Sequence, residues 1–247
     1  MAATRDFDAT RRDILATAGL SASYLLTLGR PVAAMEKAER EGKKEPAKED
    51  EKDQTPVSAP EDLMREHDVL HRILLIYERI IATPGAPAEW PVKTLTEAAR
   101  LVQNFIEQYH QKLEEDYVFP RFEKARRHTD LVAVLRKQHD AATRLTQAIL
   151  KGAGQLKEKA DAERLTQDMR AYIRMYQPHS AREGSVLFVD LHTVVPPKEY
   201  EEMGDRFEEI EHKKFGANGF ENTVNQVAAM EKTLGIYDLA QFTPKEV

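Results

Sequence analysis

The amino-acid sequence predicts an all-α protein, an up-down-up-down four-helix bundle with a C-terminal helical extension. Three observations favour this class. Long stretches beyond residue 60 place apolar residues at the three- and four-residue spacing of amphipathic helices. Short breaks containing proline or glycine separate these stretches, which predicts antiparallel neighbours. The alternating pattern typical of β-strands forms no run of useful length.

The bundle is expected to occupy residues 61–195. Its first helix begins at Glu61 and ends in the loop 83–87, which holds two prolines and a glycine. Its second helix runs from about Pro91 to Pro120 or slightly past it. The third and fourth helices are expected at about 130–151 and 161–192.

Two further segments flank the bundle. Residues 35–60 are mostly charged, chiefly lysine and glutamate, and contain three prolines, so they bury too little apolar surface to fold alone and are predicted to be a charged linker. Residues 196–247 are a predicted extension with helices at about 198–215 and 219–234. We expect these helices to pack on the bundle or to bind a protein partner.

The N-terminal residues 1–34 resemble a twin-arginine export signal. Arg11 and Arg12 precede a weakly apolar run, Ala16 to Leu28, and small residues follow near Ala34. This pattern predicts a periplasmic or exported protein. The alternative is an amphipathic N-terminal helix, and the protein would then be cytoplasmic.

Composition excludes several function classes. The net charge of −6 argues against a general nucleic-acid binder, which would be basic. No run approaches the roughly 18 apolar residues of a membrane span. The chain has no cysteine, which excludes disulfides, iron–sulfur ligation and thiol catalysis. Any metal must therefore be held by nitrogen and oxygen ligands, as suits iron, manganese or zinc.

Four of the eight histidines fall one each on the four predicted bundle helices, and two of these four begin a His-x-x-x-Glu spacing. Residues four apart share one face of a helix, so each such pair can present an imidazole and a carboxylate to one site. Because a carboxylate can bridge two ions and an imidazole caps one, this set can hold two metal ions. The predicted ligands are His67, His110, Glu114, His139, His179 and Glu183.

These segments resemble the hemerythrin-type, His-His-Glu cation-binding domain over about residues 61–195. The resemblance implies a non-haem di-iron centre with Glu114 and Glu183 as bridging carboxylates, closed by an oxo or hydroxo group. The segments that carry it are Glu66-His67, His110-x-x-x-Glu114-Glu115 with Val118-Phe119-Pro120, Gln138-His139-Asp140, and His179-x-x-Arg182-Glu183 with Val186-Leu187-Phe188.

The sequence departs from the oxygen-carrying hemerythrins at two positions. Thr143 stands where carriers have a fifth histidine, and Glu183 follows His179 by four residues where carriers have an aspartate at five. We therefore expect a protein that binds or reduces a small oxidant, namely O2, peroxide or nitric oxide. An oxidoreductase or peroxidase-type activity remains an open alternative to binding alone.

Other interpretations stay open at this point. The protein could be an iron, oxygen or redox sensor that signals through helices at 198–234, or a purely structural bundle. A ferritin-like centre would use Glu-x-x-His pairs, which occur as Glu107 with His110 and Glu209 with His212. Near the predicted ligands, His71 and Glu115 are expected to be neighbouring or surface groups.

Overall fold

The structure is a computed structural model that describes residues 57–83 and 86–245. The predicted export signal and most of the predicted linker therefore lie outside the described residues. The described part is helical and contains no strand. This confirms the all-α class, with a four-helix bundle and a C-terminal helical extension.

Four long helices form the bundle. Helix α1 is Ala59–Ile81 and α3 is Thr129–Gln155. Helix α2 covers residues 92–125, in five consecutive segments: Val92–Leu101, Val102–His110, Gln111–Leu113, Glu114–Val118 and Phe119–Ala125. Helix α4 covers residues 159–190, in three segments: Lys159–Arg182, Glu183–Leu187 and Phe188–Asp190. Short 3₁₀ turns lie at Pro87–Glu89, Leu191–Thr193 and Leu239–Phe242.

Three segments of these helices are π-helical, with wider turns than an α-helix. They are Val102–His110 and Glu114–Val118 in α2, and Glu183–Leu187 in α4. Each one begins or ends at a predicted metal ligand. Because π-helical turns are rare and concentrate at functional sites, their positions single out this end of the bundle.

Several helix boundaries differ from the expected ones by a few residues. Helix α1 begins two residues before Glu61, with Pro60 in its first turn, where a missing N–H is tolerated. Helix α3 continues past the expected end at 151, to Gln155, and α2 continues five residues beyond Pro120, to Ala125. Pro120 lies two residues after the wide turn Glu114–Val118, where the regular i→i−4 hydrogen bonds are already interrupted, so the proline does not end the helix.

One hydrophobic core joins the bundle and the extension. Helix α5 is Pro197–Phe215 and α6 is Gly219–Leu234, and both pack against α1. Helix α5 crosses the start of α1 so closely that a Cβ on Gly204 would come within 2.6 Å of the Val57 carbonyl oxygen. Arg72 of α1 donates two hydrogen bonds to the Glu231 carboxylate of α6, at 2.9 and 2.5 Å. The extension is therefore packed on the bundle.

Among the described residues, no helix has the length and apolar composition needed to cross a membrane.

Candidate metal centre

The antiparallel bundle brings all six predicted ligands to one end. His67 lies near the start of α1 and His139 in the first half of α3. The two His-x-x-x-Glu pairs lie toward the ends of α2 and α4. Since neighbouring helices run in opposite directions, early residues of α1 and α3 meet late residues of α2 and α4.

The six side chains are buried. Glu114 and Glu183 are 0% exposed, and none of the four histidines exceeds 4%. A carboxylate removed from water costs several kcal/mol unless it is paired or bound to metal. This end of the bundle therefore needs positive charge.

The imidazoles form two pairs, and Glu114 lies between them. Ring centroids are 4.6 Å apart for His67 and His110, and 5.1 Å apart for His139 and His179. Glu114 places Oε1 3.5 Å from His110 Nε2 and Oε2 3.4 Å from His139 Nε2. One carboxylate thus directs a different oxygen to each pair.

Glu183 also lies between the two pairs. Its Oε2 is 3.0 Å from His179 Nε2 and 3.3 Å from His67 Nε2. It therefore contacts one histidine of each pair, as Glu114 does.

Two overlapping groups of atoms are close enough to hold cations, and in each group the ligand atoms lie within 4.8 Å of one another. Glu114 belongs to both groups. The first consists of His67, His110 and Glu114, and the second of Glu114, His139, His179 and Glu183.

The donor atoms of these six side chains suit metal ions because most of them have no hydrogen-bond partner. Seven buried atoms of this cluster have no hydrogen-bond partner among the described residues: Nε2 of His67, His110 and His139, and both carboxylate oxygens of Glu114 and Glu183. Buried polar atoms are normally satisfied. Nitrogen and oxygen donors converging without partners are the arrangement that a bound transition metal requires.

Three of the four imidazoles are held in orientation by a hydrogen bond at Nδ1, the ring nitrogen that points away from the centre. Nδ1 of His110 lies 2.6 Å from Glu66 Oε2, that of His139 3.0 Å from Glu115 Oε1, and that of His179 2.9 Å from Gln138 Oε1. An Nδ1–H that donates to an oxygen leaves Nε2 with its lone pair toward the centre.

The sequence contained a signal for these orienting residues. Glu66, Glu115 and Gln138 each adjoin a predicted ligand in sequence, and each bonds a ligand on another helix. Glu115 was expected to be a neighbouring group, whereas Glu66 and Gln138 were noted only as parts of motifs. Their side chains leave the helix about 100° from the adjacent ligand, so they reach the next helix.

Without metal, the cluster is held by charge between imidazoles and carboxylates. Burial favours the neutral forms, but the Glu114 and Glu66 carboxylates keep the pKa of His110 well above its usual value. Burial opposes ionisation of Glu114 too, yet His110 and His139 hold its pKa well below the usual range. The hydrogen bond from His139 lowers the pKa of Glu115 to about 2. Without metal, protons on the imidazoles thus supply the positive charge that bound cations would otherwise supply to the carboxylates.

Aromatic rings enclose the centre. Phe188 stacks on His67 and Phe119 on His139, each with centroids 5.5 Å apart. Tyr176 meets His179 edge-on at 4.9 Å. Burial raises the pKa of Tyr176 well above its usual value, so its hydroxyl stays protonated and available to donate a hydrogen bond. These rings limit the access of water to the metal ligands.

A small cavity lies next to the cluster. It has a volume of about 230 Å³, and His179 is one of its lining residues. Its other lining residues include Val134, Leu135, Pro178 and Arg182. A cavity of this size and largely apolar lining suits a small neutral molecule.

The other histidines and the ferritin-like pairs lie elsewhere. His71 is exposed and bonds Ser180 Oγ at 2.8 Å, as expected for a neighbouring group. Thr143, one turn after His139, is half-buried. Glu209 is exposed on α5 and pairs with Arg206, so the ferritin-like pairs do not converge. These placements favour the His-His-Glu arrangement.

A helical bundle with buried, converging histidines and carboxylates defines a metal-binding bundle protein. The hemerythrin HHE cation-binding domain matches residues 58–191. Uncharacterized proteins of Mycobacterium bovis and Mycobacterium tuberculosis are each 48% identical over 193 residues, 77% of this chain and 76% of theirs. No solved structure matches the chain. The chain belongs to the hemerythrin HHE cation-binding family, and the resemblance found in the sequence is confirmed.

Replacing Glu115 by alanine should weaken metal binding about 10- to 100-fold, because His139 loses the carboxylate that orients it. Glu115→Gln should fall between this variant and the wild type, since its amide oxygen still accepts the Nδ1–H bond. Competition with a chelator of known affinity measures the change. Asp116→Asn is the matched control, because Asp116 is exposed on the same turn. Equal losses in the Glu115 and Asp116 variants would contradict the orienting role.

Proposed function

We propose that this centre holds two iron ions, bridged by Glu114 and Glu183, and that it binds or reduces a small oxidant: O2, peroxide or nitric oxide. The observation that carries the proposal is the position of Glu114. Its two oxygens face one histidine from each imidazole pair, at 3.5 and 3.4 Å. A single carboxylate in that position can join two ions.

The number of ligands leaves room for an oxidant. Four imidazoles and two bridging carboxylates give each ion two nitrogens and two oxygens. Iron in nitrogen and oxygen sites commonly takes five or six ligands, so coordination positions remain open. The cavity that His179 helps to line would hold a small molecule next to one of the predicted ligands.

Bound iron would supply the electrons and the Lewis acidity of this chemistry. The residues of the chain would bind the iron, orient the imidazoles and exclude water. Glu66, Glu115 and Gln138 keep three imidazoles turned toward the centre. Phe119 and Phe188 cover the imidazoles, which protects a reactive centre from water.

The decisive test follows the reduced protein after it is mixed with each oxidant. Aerobically purified protein should contain roughly two irons per chain and absorb in the near ultraviolet, as oxo-bridged di-iron does. The physiological ligand should change the spectrum of reduced protein fastest, and repeated consumption of peroxide would indicate turnover rather than binding. Folded protein that stays colourless after anaerobic iron loading and exposure to air would overturn the proposal.

A sensor function is the second candidate, and one contact favours it. Glu66 bonds the predicted ligand His110 and also lies beside Glu211 of α5, so the centre is connected to the extension. Hydrogen exchange of α5 and α6 should then change with iron or oxidation state. Identical exchange in all states would exclude signalling through these helices.

A further inference from the structure

A second group of acidic side chains lies where α5 packs on the bundle. It consists of Asp62 and Glu66 from α1 and Glu211 from α5. One carboxylate oxygen from each lies within 4.8 Å of the others. All three residues are buried. The group shares no residue with the six predicted iron ligands.

Two buried oxygen atoms in this group have no hydrogen-bond partner among the described residues: Glu66 Oε1 and the Tyr109 hydroxyl. Glu66 is 0% exposed and Tyr109 is 1% exposed. The Tyr109 hydroxyl lies beside the Glu66 carboxylate, so it is available as a fourth oxygen ligand.

Positive charge near the group is sparse in the described part of the chain. Half-buried Arg65 approaches Asp62 at 4.0 Å, and His212 lies near Glu211. His110 donates to Glu66 through Nδ1, and the Phe220 amide donates to Glu211 at 2.7 Å. Burial, together with Glu66 and Glu211, raises the pKa of Asp62 to about 7. The repulsion among the three carboxylates is thus stronger than the stabilisation that these contacts provide.

A cavity of about 480 Å³ connects this group to solvent. Its wall includes five acidic residues, Asp62, Asp205, Glu208, Glu211 and Glu221, and two basic ones, Arg65 and His212. The excess of negative charge along the cavity raises the local concentration of cations. A hydrated metal ion could therefore enter from this side of the molecule, separately from the cavity that His179 helps to line.

We propose that Asp62, Glu66 and Glu211, with the Tyr109 hydroxyl, form a third cation site that binds a divalent metal ion through oxygen ligands alone. Cations of the Mn²⁺ or Mg²⁺ class bind oxygens at about 2.0–2.2 Å, and Ca²⁺ at up to about 2.6 Å, so their ligands lie up to about 5 Å apart. The spacing of the three carboxylates falls within that limit.

This site is distinct from the two-iron centre but adjacent to it. Glu66 bridges them, with Oε2 on His110 and Oε1 unpartnered on the side of the acidic group. The site also requires the extension, because Glu211 is its ligand from α5. Binding at this site does not depend on the proposed two-iron function.

Manganese binding to the iron-loaded, full-length protein tests the proposal. Titration with Mn²⁺, followed by electron paramagnetic resonance, should show about one bound ion per chain while the iron content stays constant. Asp62→Asn and Glu211→Gln should each weaken that binding at least about tenfold. Glutamine at 211 still accepts the Phe220 amide, so the start of α6 is retained; unchanged circular dichroism and melting temperature establish that each variant is folded.

Glu208→Gln is the matched control, because Glu208 lines the same cavity outside the group. Its Mn²⁺ affinity should equal that of the wild type. The proposal is overturned if Asp62→Asn and Glu211→Gln bind Mn²⁺ like the wild type, or if Glu208→Gln weakens binding as much as they do. Protein that takes up no iron on loading, but binds one Mn²⁺ that Asp62→Asn and Glu211→Gln weaken, would refute the two-iron function alone.

Discussion

Replacing Glu114 by glutamine is expected to reduce the iron content of the purified protein from roughly two ions per chain to fewer than about one. Glu114 is the residue shared by both groups of converging atoms. Glutamine keeps the size of the side chain, so the bundle should fold, but a neutral amide does not bridge two cations. Iron analysis and the near-ultraviolet absorption of the oxo bridge measure the loss.

Glu107→Gln is the matched control for this variant. Glu107 is also a buried carboxylate on α2, two turns before Glu114, and the structure places it beside Thr146 instead of among the converging atoms. Its replacement should leave the iron content unchanged. In a ferritin-like centre Glu107 would be a ligand, so a comparable loss of iron in the two variants would contradict the His-His-Glu arrangement.

Removing the iron is expected to lower the free energy of unfolding by about 4 kcal/mol, the stabilisation given by a ligand at about 1,000 times its Kd. The physical reason is the set of seven orphaned atoms, which lose their partners when the metal leaves. For a domain of this size such a change lowers the Tm by about 10 °C.

Thermal unfolding with and without a strong chelator measures this difference. The double variant Glu114→Gln/Glu183→Gln is the control, because its Tm should not respond to the chelator. Its own Tm could exceed that of the metal-free wild type, since two buried charges have been removed. A wild-type Tm that is unchanged by complete iron removal would show that the metal does not contribute to folding.

Most of the fold could be predicted from the sequence because the amphipathic period and the proline and glycine breaks are local signals. The bundle helices were placed to within a few residues. The largest difference lies at Pro120, where the helix continues because a wide turn precedes the proline. No local signal in the sequence revealed that turn.

Four of the six predicted metal ligands were chosen from spacing, because the members of each His-x-x-x-Glu pair share a helix face. His67 and His139 were chosen because each lies on another bundle helix, in a segment that resembles the family. Their contacts depend on tertiary packing. Gln138 reaches His179, and Glu66 reaches His110, only after the helices have packed. Glu211 joins Asp62 through the docking of the extension. The export signal in residues 1–34 stays a prediction.

The wide turn Glu114–Val118 in α2 holds one residue more than a regular α-helical turn. Loss of a single residue from it would let this turn close into an α-helical turn, so Phe119 and Phe122, both fully buried, would keep facing the core. The side chains within the turn would change direction instead, among them Glu115, which bonds His139. A homologue with such a deletion should therefore keep the bundle but lose the carboxylate that orients His139.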